Sequence, residues 1–182
     1  MTVASNTGAD KTRVSRRPPA TVIALGLILT LLIVGAIQGG LAMVINPIDP
    51  LGMSLEFLDK APVEDYFWPG VFLLSIAVGS AITTVGLFVR WDWRWAAGIE
   101  GAIGYRWPWI GAMSVGIVLL AFETIELFVV PFHPVMHPLL IAVSLAIVIL
   151  DSTPPVRDHL SVTKGLSPLS ARPGGSLNRS QV

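Results

Sequence analysis

A chain of 182 residues that is 53% hydrophobic and 13% charged, with no formal net charge and a mean hydropathy of +0.70, is too apolar for a soluble domain. It reads as an all-α integral membrane protein. Cysteine is missing, which excludes disulfides, thiolate metal sites and cysteine catalysis.

Residues 1–19 are polar, rich in Ser, Thr, Pro and Arg, and carry no periodic apolar face; they predict a disordered tail. Lys11, Arg13, Arg16 and Arg17 precede the first apolar run, residues 20–44. That run is longer than the h-region of a signal peptide and lacks a clear cleavage site, so it predicts a spanning helix. Gly35 and Gly39 form a GxxxG pair within it, and Gln38 lies toward its far end.

A loop over residues 45–67 follows, punctuated by Asn46-Pro47, Asp49-Pro50 and Leu51-Gly52. Within it MSLEFLDK predicts a short helix capped by Ser54, and PVEDYF a second turn. Tyr66 and Trp68 are residue types that anchor at headgroup level. The loop reads as a cap over the helices; the alternative is a lid or a docking surface, since loops of this length are often functional.

The second span covers about 68–89, with Ser75, Gly79 and Thr83 at four-residue spacing. The connection over 90–106 alternates Trp91, Trp93 and Trp95 with Asp92 and Arg94, an interfacial pattern of aromatics and snorkelling arginines. It offers no scaffold for nucleic acid. The third span, about 107–130, carries the small residues Ala112 and Gly116. The fourth, about 134–151, with Ala142 and Ala146, reaches spanning length only if its helix begins at Pro134. Residues 153–182 predict a second disordered tail.

Of the 12 basic residues only Lys60 falls on the side of the 45–67 loop. The positive-inside rule therefore places both termini and the 90–106 connection in the cytoplasm. Four spanning helices in a compact bundle, each with a stripe of small residues, is the expected fold of the unit over 20–152.

Glu123 and Glu126 stand out because they lie inside the third span. An ionised carboxylate at the middle of a spanning helix is penalised by about 2.5–3.5 kcal/mol on insertion scales. Ala112, Gly116, Leu119, Glu123, Glu126 and Val130 follow spacings of four and three, one helical face. The carboxylates thus share the packing face and should look toward neighbouring helices. Gln38 should reach a similar depth, and the hairpin VVPFHPVMHPLL brings His133 and His137 to the same end. Carboxylates, imidazoles and an amide could together hold a divalent cation or relay protons. Two carboxylates three residues apart repel, so they need a cation, a donor or a shared proton between them. The plainer alternatives are that Glu126 reaches headgroup water, that Glu123 fixes helix register, and that the histidines are solvated turn residues. No HExxH or other ligand motif is present.

The run GGLAMVINPIDPLGMSLEFLDKAPVEDYFWPGVFLL, followed by an Arg-Trp-rich connection and a third span with Glu near its outer end, resembles a group of small bacterial four-helix membrane proteins of unknown function. Gly39, Gly40, Pro47, Leu51, Gly52, Asp65, Tyr66, Pro69 and Gly70 carry the likeness. It covers the helical part and neither tail. It implies the four-helix fold and no activity; an excess of Arg over Lys fits an actinobacterial source.

One function is expected, and two alternatives stay open beside it. The expected one is a non-catalytic accessory or scaffolding subunit of a larger complex in the bacterial plasma membrane, its partners lipids and other integral proteins or a second copy of itself. The first alternative is a small carrier or sensor binding a cation or proton at Glu123, Glu126, His133, His137 and Gln38. The second is a membrane hydrolase using the paired glutamates, although no GxSxG, phosphate loop or dinucleotide fingerprint is present. No organic cofactor and no nucleic-acid partner are expected.

Overall fold

Residues 20–45 contain neither charge nor proline, and their backbone groups can be satisfied in apolar surroundings only within the segment itself. They form one helix, α1 (Ala20–Ile45), in a computed structural model that describes residues 18–89, 93–94, 96–130 and 134–162. Two 3-10 turns follow, at Pro50–Gly52 and Leu55–Leu58. The Ser54 hydroxyl accepts from the Glu56 amide at 3.2 Å, so the serine does cap the second of them, a single turn rather than an eight-residue helix. Then come α2 (Phe67–Phe88), α3 (Ala97–Ile103), α4 (Trp107–Val129), α5 (Met136–Ser152) and α6 (Pro154–Leu160). The described residues are helical and contain no strand beyond one isolated bridge. Three helices, α1, α2 and α4, are long and apolar enough to cross a membrane. The chain runs from a near end, where α1 starts, to a far end that carries residues 46–66, and back.

The fourth span differs from expectation. Its helix begins at Met136, two residues later than Pro134, and its 17 residues rise about 26 Å, short of the roughly 30 Å hydrocarbon layer. It qualifies as a crossing only together with α6, from which it is bent by 62°. The break has a local cause. Pro154 pushes the residue before it away from helical angles, and Thr153 is extended at φ −69°, ψ 144°. Residues 154–162, predicted as disordered tail, are instead ordered. Val156 and Leu160 are buried, Arg106 donates its amide to the Leu160 carbonyl at 2.8 Å, and Val162 donates to that of Gly104 at 3.0 Å. Seven residues with two apolar contacts are too few to produce a readable period. Residues 163–182 lie outside the described residues, as do residues 1–17.

Helices α1 and α2 approach backbone to backbone at a pair of glycines. A methyl group on Gly40 would stand 2.9 Å from the Gly70 carbonyl oxygen, and one on Gly70 would stand 3.0 Å from that of Gly40. Gly35, in contrast, faces open space, Gly39 only touches Leu73, and Ser75 is exposed. On α1 the packing face runs through Val22, Leu25, Leu29, Leu32, Ala36 and Gly40, so the glycine pair at 35 and 39 lies beside it. On α2 the buried face carries Ile76, Ser80 and Thr83, and Gly79 lies beside it, where an added methyl would stand 3.9 Å from Val115.

Helices α4 and α5 pack antiparallel in a register that repeats every seven residues. The Trp109 indole donates to the Asp151 carbonyl at 3.0 Å. One step along, Gly116 lies against Ser144, whose carbonyl would be 3.3 Å from an added methyl. Ala112, in the same stripe, is fully buried. A second step brings residue 123 opposite residue 137.

Candidate functional site

That register puts a carboxylate against an imidazole. Glu123 is 1% exposed and His137 4%, and Nδ1 of His137 lies 3.4 Å from Oε2 of Glu123. Glu126, one turn on and half-buried, completes the group. One ligating atom from each of the three lies within 4.8 Å of the other two. Glu123, Glu126 and His137 are therefore brought together as α4 and α5 leave the far end of their contact. Gln38 is exposed on α1 and is not in the group. His133 lies outside the described residues.

A fourth side chain belongs to the neighbourhood. Tyr66, at the head of α2, is 5% exposed and donates its hydroxyl to the Ser54 carbonyl at 2.9 Å. Its amide donates to the Pro47 carbonyl at 3.0 Å, which ties both ends of the far-end loop to α2. Burial, and after it the negative charge of Glu126, push the Tyr66 hydroxyl above its ordinary value. The sequence marks Tyr66 only as an interfacial aromatic. Its exposed neighbours Phe67 and Trp68 have the surface position that such anchors take, whereas Tyr66 turns inward. No local signal distinguishes the three.

The three ligating groups allow two chemical states. With its proton on Nδ1, His137 donates to Glu123 and the pair holds a proton. With the proton on Nε2, the Nδ1 lone pair is available to a cation shared with Glu123. Two donors on a tetrahedral ion with bonds of about 2.0–2.1 Å stand about 3.3 Å apart, matching the 3.4 Å separation of His137 and Glu123. One imidazole and two carboxylates are the donor set of zinc, manganese or ferrous iron rather than of a thiolate-seeking metal.

No protein-family model, curated protein or solved structure matches the chain. The functional reading therefore rests on the site.

Proposed function

We propose that this chain is a small, non-catalytic integral protein of a bacterial plasma membrane, with both ends cytoplasmic, that binds a divalent cation at Glu123, Glu126 and His137. The carrying observation is the convergence of three N/O donors within 4.8 Å, with Glu123 and His137 almost wholly buried. Two carboxylates so close in apolar surroundings repel unless a cation, a donor or a shared proton lies between them, and a divalent ion is one way to meet that need. Protons compete for the same atoms, because ligation requires deprotonated carboxylates and a free imidazole lone pair. Such a site suits a carrier or a sensor of the cation on the outer side of the membrane.

The test is a titration of the full chain, purified in detergent and stripped with a chelator, with zinc and with manganese against a chromophoric competitor. One saturable site is expected, weakened at least about tenfold in Glu123→Gln and in His137→Gln. Saturable binding that both variants leave unchanged, or no saturable binding at all, overturns the reading.

A second reading, an accessory subunit of a larger membrane complex, is favoured by one observation. Gly35 has nothing within 4 Å of its Cβ position, and Ser75 and Ala142 are also exposed. Small residues left facing outward suit close approach by another helix. Native mass spectrometry of the protein gently extracted from its host tests this: co-purifying chains at fixed stoichiometry support it, and a lone chain refutes it.

A further inference from the structure

Beyond the outer group, α5 buries three polar side chains at seven-residue spacing, His137, Ser144 and Asp151. They form one line along its packing face, about 21 Å from first to last. Two of them have partners. His137 meets Glu123, and the Ser144 hydroxyl donates to the Ile141 carbonyl at 2.8 Å. Asp151 is 0% exposed, and among the described residues neither of its carboxylate oxygens has a hydrogen-bond partner. An ionised carboxylate in that position is heavily disfavoured, since it is buried and no donor among the described residues reaches it.

We infer that Asp151 is a proton-binding site: a neutral carboxylic acid held in the packed end of α5, separate from the carboxylate–imidazole group at the far end. Protonation removes the charge and turns one oxygen into a donor. The location suits exchange with the near-end solution. Asp151 lies two residues before Thr153, at the break between α5 and α6, and a polar cleft lined by Tyr105, Pro154, Arg157, Asp158 and Ser161 opens at the same end.

The groups around it leave the carboxyl uncompensated. Helix α1 carries no titratable side chain, and neither does α4 between Trp107 and Phe122. From α6 come Arg157, Asp158 and His159. Arg157 spends Nε and Nη2 on the Tyr105 hydroxyl, Asp158 is exposed, and His159 is half-buried with contacts of its own. Arg106, at the start of α4, is likewise already engaged. Among the described residues, none of these reaches an Asp151 oxygen by a hydrogen bond. The Thr21 hydroxyl, in the first turn of α1, is a second buried and unpartnered oxygen at the near end.

The experiment is infrared spectroscopy of the full chain in lipid vesicles at neutral pH, comparing wild type with Asp151→Asn. A protonated-carboxyl carbonyl band that carries the aspartate label should be present in wild type, shift on deuteration, disappear in the variant and persist in Glu123→Gln. Aspartate labelled with carbon-13 assigns the band in wild-type protein and so does not depend on the variant folding. Site-resolved modification by dicyclohexylcarbodiimide, which attacks protonated carboxyls in apolar surroundings, should mark Asp151 and fade as the medium is made alkaline. A labelled aspartate spectrum with no protonated-carboxyl band overturns the inference. So does a carbon-13-shifted aspartate band that survives in Asp151→Asn. Neither result bears on cation binding at the far end, which the titration decides separately.

Discussion

Replacing Gly40 by alanine places a methyl group 2.9 Å from the Gly70 carbonyl oxygen and 2.8 Å from Cγ of Leu74. Ordinary contact begins near 3.4 Å, so α1 and α2 must separate by about 0.5 Å at this point. Leu74 can turn aside, but the carbonyl of a helical backbone cannot. Overpacking of this kind costs about 1–3 kcal/mol. The better helix propensity of alanine returns up to about 1 kcal/mol, leaving a net loss of up to about 2 kcal/mol. Gly35→Ala is the matched control. It lies on the same helix, nothing stands within 4 Å of its Cβ position, and it should be neutral or stabilising by up to about 1 kcal/mol. The two variants should thus differ by about 2 kcal/mol, roughly thirtyfold in the unfolding equilibrium. Reversible unfolding in mixed micelles of increasing sodium dodecyl sulfate, followed by tryptophan fluorescence, measures this. A Gly40→Ala protein as stable as Gly35→Ala would refute the packing argument, and with it the α1–α2 contact that holds the head of α2, and Tyr66, beside the far-end carboxylates.

Three further outcomes follow from the same structure. Tyr66→Phe removes the bond to the Ser54 carbonyl and should destabilise the far-end loop by about 0.5–1.5 kcal/mol, seen as faster proteolysis between residues 46 and 66. In the wild-type protein the Tyr66 hydroxyl ionises above its usual value near 10. The folded form therefore holds this proton more tightly than the unfolded one. The stabilisation is fully present below about pH 10 and is lost as pH rises through the folded value, so wild type minus Tyr66→Phe should show one late phenol in ultraviolet titration. Leu160→Ala should cost about 2–4 kcal/mol, because the side chain is 1% exposed against the near end of the core. A loss under about 0.5 kcal/mol would mean that α6 is not held there.

Hydropathy alone locates α1, α2 and α4 to within a residue or so of their ends, since a segment in lipid must satisfy its backbone internally and therefore declares itself by local composition. The spacing of Ala112, Gly116, Leu119 and Glu123 likewise places the carboxylate on the packing face, and all four are buried. Faces of the other helices are not legible in this way. When both lipid and neighbouring helices are apolar, the stripe through Gly35 and Gly39 and the stripe through Ala36 and Gly40 look alike, and only the position of Gly70 on α2 decides between them. The same holds for chemistry that depends on partners distant in the chain. The antiparallel register of α4 and α5 brings His137, rather than Gln38, to Glu123. The fold of residues 46–66 turns Tyr66 inward while Trp68 stays outside. Asp151 reads in sequence as the polar boundary of a span; it becomes a buried acid because Pro154 breaks the helix and α6, through Val156 and Leu160, folds back against the core. Composition determines which segments enter the membrane, because that is a contest between each segment and its solvent. Which polar groups meet inside is a contest between segments, and only the tertiary structure resolves it.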